Sequence, residues 1–240
     1  MNVPASAPEL FTVFTRYNTA VWPAQIGLLA LALGLLVVVV RGRPGGARVV
    51  YGGLALLWVW CGAVFFLAFY ARYAGVAPLA YGMATAFVLQ GALFARAAAV
   101  AGGGTMALRA DVHGMAAAAL IGYALLIYPL LASALGQHYP GQPTFGAPCP
   151  LTIFTFGLLL LAAARVPGHL LAIPFVWAVL GIFPVLRFGV VEDIGLIAAG
   201  LVALPLILGR NRGLRSTPGA DPGAGVGETP APPEGIRRLH

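Results

Sequence analysis

Along most of the chain, long apolar runs alternate with short polar or glycine-rich breaks, and the runs exceed the length of a strand or an ordinary core helix. Stretches of about 16–22 residues fall at Val21 to Val40, Val49 to Tyr70, Val76 to Ala95, Met115 to Leu135, Thr144 to Ala164, Leu170 to Leu186 and Val190 to Gly209. The pattern predicts an all-α protein, a polytopic transmembrane helical bundle of about seven spans, with six as the alternative. The weakest spans are the fifth, interrupted by Pro148 and Pro150, and the last two, which share a short turn containing Gly189, Glu192 and Asp193.

Both ends differ from the middle. Ser6 to Glu9 has the spacing of a capping box, and Leu10, Phe11, Phe14, Tyr17 and Val21 then follow a helical stripe. Residues 1–20 are therefore expected to form an amphipathic helix on the outer interface, turning into the first span around Trp22-Pro23. Residues 21–209 make up the bundle. Residues 210–240 are expected to be a disordered cytoplasmic tail, because the stretch beyond Arg215 is rich in Pro and Gly and has almost nothing apolar to bury.

Composition sharpens this picture. The chain is 60% hydrophobic and 9% charged, far from the roughly 45–50% and 25% of a soluble domain. With a mean hydropathy of +0.90, a water-soluble monomer is excluded. The 14 basic residues are all Arg, against seven acids. With the amino terminus outside, eleven of them fall on the cytoplasmic side and only Arg16, Arg72 and Arg187 outside. This predicts a multi-pass protein of the bacterial inner membrane, with the lipid bilayer as its first partner. Arginines that punctuate apolar runs, rather than clustering on one exposed face, argue against nucleic-acid binding. Met1 to Thr15 carries no basic residue, so a cleavable signal peptide is not expected. P-loop, GxSxG, HExxH and dinucleotide signatures are missing, so no cofactor is expected. Asp111 and His113 read as a helix start with its cap.

Helix contact faces are suggested by Gly114, Ala118 and Gly122 in the fourth span, and by Gly195, Ala199 and Ala203 in the seventh. Small residues at that spacing allow close approach of backbones, within one copy or in a homo-oligomer or membrane partner complex.

The segment with chemical promise runs from Gly136 to Pro150, where four prolines and three glycines forbid a regular helix. The apolar part after Pro150 covers about 15 residues, or roughly 22 Å, short of the ~30 Å hydrocarbon core. Phe145 to Cys149 should then lie inside the membrane boundary as non-helical backbone, which is tolerated only when buried in protein or lining a cavity. Pro150 suits the first helical position and makes Cys149 the N-cap, at the positive end of the helix dipole, a placement that favours the nucleophilic or metal-binding thiolate. A rigid kink with a small inert cysteine is the plainer alternative. His138 could meet Cys149 as a second metal ligand, with a third from Glu192, Asp193 or water; a solvated loop histidine is the alternative. Glu192 and Asp193 could bind a cation, relay protons, or pair with Arg187, Arg72 or Arg16. Asn18, Gln90, His138, Thr144, Cys149, Thr152, Glu192 and Asp193 together form the candidate set for binding a small molecule or ion. Cys61, deep in the second span, is read as core packing, too far in depth from Cys149 for a disulfide.

Three stretches, L-F-T-V-F-T-R-Y-N-T-A-V-W-P-A-Q from Leu10 to Gln25, Y-P-G-Q-P-T-F-G-A-P-C-P-L-T-I-F-T-F-G from Tyr139 to Gly157, and V-E-D-I-G-L from Val191 to Leu196, together resemble an uncharacterised bacterial family of multi-pass inner-membrane proteins, one of the numbered domains of unknown function. The similarity runs over roughly residues 9 to 209, with P-T-F-G-A-P-C-P its most specific part. The resemblance implies membrane location and no mechanism. Many relatives carry a Tyr-His pair where this chain has Phe65-Phe66.

Three functions follow as expectations. The first is a small transporter or permease-like protein with an outward-facing polar site. The second is a thiol-dependent membrane enzyme or metal-handling protein centred on Cys149. The third is a non-catalytic subunit of a membrane complex.

Overall fold

On the first helix, Ile26, Leu29, Leu33, Val37 and Val40 are exposed, while Leu28, Ala32, Leu35 and Val39 are buried. Both stripes follow the 3.6-residue period, so the helix is apolar on its inner and outer faces alike, as lipid requires and water forbids. The structure is a computed structural model that describes residues 7–73 and 77–216. Its elements are α1 (Ala7–Arg41), α2 (Gly46–Tyr70), α3 (Ala77–Val100), α4 (Val112–Ala134), α5 (Pro148–Leu160), α6 (His169–Phe188) and α7 (Val191–Leu214). Six are long and apolar enough to cross a membrane, and α5 is the short one. The seven expected spans are thus all present as helices in an all-α bundle, with the fifth reduced to 13 residues.

One expectation changes at the start. No turn separates an interfacial helix from the first span: α1 is a single helix of 35 residues with Pro23 inside it. Hydrogen bonds of Asn18 and Gln25 join this part of α1 to the loop after α4, as described below. At the other end, helix continues through Arg210 to Ser216, so the expected tail begins ordered; the rest of it lies outside the described residues.

α5 forms the axis of the bundle. Twelve of its 13 residues are buried, consistent with a helix that is apolar all round. At 1.5 Å per residue it covers about 20 Å, so both of its ends lie inside the protein, where water does not satisfy them. At the carboxyl end, Arg210 of α7 donates to the Leu160 carbonyl at 2.7 Å and the Leu159 carbonyl at 3.4 Å. A guanidinium on orphan carbonyls also complements the negative end of the helix dipole. Next to it, Asn211 pairs with both backbone groups of Val166, at 3.1 and 2.7 Å. The loops at this arginine-rich end are stitched together. Ala47 N–H donates to Gly104 O, Ala107 N–H to Leu161 O, and Ala163 N–H to Thr105 O. Asp111 caps α4 by accepting from Gly114 N–H at 3.0 Å. The Arg109 guanidinium, with that cap bond, pulls the Asp111 carboxyl down from 3.8 to about 2. Its contribution is therefore complete above the ordinary carboxylate range and fades only as pH falls through that lower value.

Helices α2 and α3 pack with their backbones nearly touching. A Cβ at Gly91 of α3 would meet Ala55 O at 3.0 Å, and one at Gly62 of α2 would meet Ala84 O at 2.9 Å. In α7 the small-residue row is a contact, since Ala199 and Ala203 are fully buried and a Cβ on Gly195 would enter the Tyr123 ring. In α4 the predicted row is not. Ala118 is exposed and Gly122 has open space beside it. The contact face turns instead to Gly114, Ala117 and Ile121, because Gly157 of α5 docks there, with room for no more than a hydrogen against the Ile121 side chain.

Two outcomes follow for protein in mild detergent. Gly91→Leu should lower the stability by about 1–3 kcal/mol through overpacking, read as a lower Tm, and an unchanged melting curve would deny the close α2–α3 contact. Arg210→Gln should cost about 1.5–3 kcal/mol through lost charge-assisted bonds to buried carbonyls; wild-type melting of that variant would show that the α5 carboxyl end is satisfied otherwise.

Candidate functional site

The loop between α4 and α5 enters the bundle instead of lying on it, and α1 pins it there. Asn18, fully buried, donates from Nδ2 to Pro140 O at 2.6 Å and Gln142 O at 2.8 Å. Its Oδ1 accepts from Gln25 Nε2 at 2.6 Å and the Thr144 hydroxyl at 2.8 Å. Every polar atom of the Asn18 amide is thus used within the protein, and Thr144 is engaged in the same knot. Both candidates hold the loop against α1. Gly146 follows in a left-handed conformation (φ 102°), where a Cβ would strike Leu28 of α1 at 2.7 Å; only glycine meets both conditions.

The loop delivers α5 two residues earlier than the sequence suggested. Ala147 is the N-cap and Pro148 takes the first helical position, so Cys149 lies within the first turn and is not the cap. Both prolines of Pro148-Cys149-Pro150 fit there, since the first-turn amides have no intrahelical acceptor to lose. The Cys149 thiol is directed at the carboxylate of Asp193, at 3.4 Å to Oδ2. The other oxygen, Oδ1, accepts from the Tyr128 hydroxyl at 2.6 Å. The Trp177 indole N–H has no nitrogen or oxygen acceptor and approaches the Cys149 sulfur, a weak acceptor. A bond from sulfur to carboxylate uses the protonated thiol, because a thiolate has no hydrogen to give. The thiol thus stands as one of two donors to a buried acid, within the first turn of α5 and not at its cap.

Asp193 and Cys149 form one wall of a cavity of ≈100 Å³ enclosed between the amino-terminal half of α1, the end of α2, and α6. Half of the other lining residues are aromatic, among them Phe14, Phe65, Phe66, Tyr70, Trp177 and Phe188. Two local distortions accompany these residues. Cys61–Tyr70 of α2 and Tyr123–Ile127 of α4 are π-helical, a widened turn that often accompanies functional sites. The first presents Phe65, Phe66 and Tyr70 together, and the second precedes Tyr128. Phe66 lies edge-on to Trp177 at 5.5 Å between centroids, so the walls support each other.

The other candidates do not join this cavity. Glu192 is buried beside Asp193, yet its carboxylate turns away to Gln137 Nε2 at 3.5 Å, leaving Oε1 without a partner. Its backbone carbonyl accepts from Tyr123 at 2.8 Å. His138 is exposed and lines a separate groove at the amino-terminal end, with Phe11 and Gln137. His138 and Cys149 therefore do not share a site, and among the described residues no three His, Cys, Asp or Glu side chains gather as metal ligands. The backbone carbonyl of His138 accepts from Gly141 N–H at 2.8 Å, closing a turn within the loop. Gln90 donates to Leu170 O at 3.1 Å, tying α3 to the start of α6. Thr152 bonds back to Pro148 O at 2.8 Å on its own helix. Cys61 and Cys149 are both free thiols, and Cys61 is packed in the core. Sequence reasoning missed Tyr128, Trp177 and the aromatic walls, since each reads as an ordinary lipid-phase aromatic.

Asn18→Ala should lower Tm by several degrees in detergent, because about 1–3 kcal/mol is lost for each buried carbonyl left unpaired, and it should loosen the loop. Wild-type stability and wild-type protease resistance of that loop would contradict the pinning role.

No curated protein and no solved structure matches the chain. A family model described as a family of unknown function, DUF6064, matches residues 7–217, and the chain belongs to that family.

Proposed function

We propose that this protein is a small transporter or permease-like protein of the bacterial inner membrane, with its amino-terminal end outside, and that its ligand site is the aromatic cavity walled by Asp193. The observation that carries this reading is a buried carboxylate, 2% exposed, on a cavity wall at the broken start of a central helix. Intramembrane acids are costly and are kept where ions, protons or substrates pass. Helices broken near a ligand site are a recurrent feature of secondary transporters. Cys149 and Asp193 belong to one cluster instead of facing lipid, which a transporter site of this kind requires.

The thiol-centred alternative is less well supported, since the Cys149 hydrogen bond to Asp193 needs only a donor of suitable size. Serine supplies that donor. Protein reconstituted into liposomes and challenged with panels of small organic cations, anions and neutral solutes should give uptake of at least one class. Asp193→Asn should reduce that uptake by about tenfold or more, equivalent to 1.4 kcal/mol, while Cys149→Ser keeps most of it. Uptake of no class, or full uptake by Asp193→Asn, overturns the transporter reading. Loss in Cys149→Ser with Asp193→Asn unaffected would favour thiol chemistry.

A further inference from the structure

The cavity does not end at its aromatic walls. An apolar groove of ≈300 Å³ runs between α3 and α6, and Met83, Trp177 and Leu180 line both spaces. The groove faces the lipid side of the bundle, where Leu79, Val176 and Leu180 are exposed. Within the cavity the one ionisable acid is Asp193, and among the described residues neither space is lined by an Arg or a His. A small chamber with one carboxylate in its wall therefore adjoins an apolar groove that opens to lipid, with Met83, Trp177 and Leu180 between the two.

We propose that the cavity and groove together form one site for a cationic amphiphile, a ligand with a single ammonium group on an apolar chain, reaching the site sideways from the bilayer. This deepens the transporter reading and rests on it for the location of the site.

Each part of such a ligand has a counterpart. A carboxylate offers about four lone-pair positions, and Tyr128 and Cys149 use one on each oxygen. The remaining acceptor capacity and the negative charge suit an ammonium head. Phe65, Phe66 and Trp177 line the same chamber, and an aromatic face turned to a cation stabilises it once it has left water. The chamber, at ≈100 Å³, is smaller than the ~150 Å³ cavity that accommodates benzene. It holds a compact head and not a long body. The chain then follows the groove, whose walls, from Pro78 and Leu79 on α3 to Ile173 and Val176 on α6, are apolar. The same inventory excludes other amphiphiles. A phosphate or sulfate head would bring an anion to Asp193 with no basic side chain lining the site to receive it, so zwitterionic and anionic lipids are poor fits.

The test uses full-length protein in lipid nanodiscs and three probes sharing a ten-carbon chain, namely decylammonium, decyl maltoside and decyl sulfate, with binding read from tryptophan fluorescence. The ammonium probe should bind about tenfold tighter than the neutral one, and the sulfate more weakly than both. Asp193→Asn should abolish the ammonium preference and leave decyl maltoside binding unchanged. Met83→Phe, which adds bulk at the junction, should weaken decylammonium more than methylammonium. Equal affinities for the three probes in the wild type overturn the proposal without recourse to any variant, and a preference that survives in Asp193→Asn places the charge recognition elsewhere. Selective binding without flux across liposomes would keep this site and overturn the transporter reading; flux of another solute class with no ammonium preference would do the reverse.

Discussion

Backbone amides and carbonyls inside a bilayer have no water to turn to, and in this protein that constraint falls on the two ends of α5. A 13-residue helix cannot reach both membrane surfaces, so its ends must be completed by the protein. At one end Arg210 and Asn211 of α7 receive the last carbonyls and the following backbone. At the other, two prolines occupy first-turn positions where an amide would have been orphaned. The rest of the bundle is arranged around those two solutions. The loop before α5 must dip inward to meet a short helix, which requires α1 to hold it through Asn18 and Gln25. Helix α7 must begin beside the same point, which brings Asp193 to Cys149.

The cavity is a consequence of this arrangement. A short central helix leaves space above its first turn, and bulky aromatic side chains surround that space without filling it. The π-helical end of α2 carries Phe65, Phe66 and Tyr70 of its wall, and Tyr128 follows the π-helical turn of α4. Asp193 is acceptable there because Tyr128 and Cys149 donate to it, and it is the carboxylate on which the proposed preference for positive ligands rests. The function proposed for the protein thus grows from the same feature that makes the fold unusual.

Much of the architecture could be read from the sequence because span length and apolar periodicity are direct responses to the bilayer. The weakness of the fifth span followed from Pro148 and Pro150, and its non-helical approach followed from the distance a short helix can cover. The details that failed depended on tertiary contacts. Helix α5 starts at Pro148 instead of Pro150, because both prolines are compatible with a first turn and sequence alone does not choose between them. The small-residue row of α4 was misplaced because Gly157 on another helix selects the face. His138 lies in a groove separate from Cys149, a placement with no sequence signature. The π turns, and with them the aromatic walls, also leave no trace in a chain where aromatic residues are common. Asp193 and Cys149 both stood out in the sequence as candidates, but their direct pairing became visible only once α5 and α7 were placed side by side.

The central claim is that Cys149 and Asp193 share a cavity whose field attracts cations. The most direct measurement is the rate at which Cys149, in a Cys61→Ala background, reacts with small thiosulfonate reagents of equal size and opposite charge. The account predicts that the cationic ethylammonium reagent modifies Cys149 about tenfold faster than the anionic ethylsulfonate reagent, and that Asp193→Asn removes the difference. Equal rates in the wild type, or reaction with neither reagent until the protein is unfolded, would contradict it.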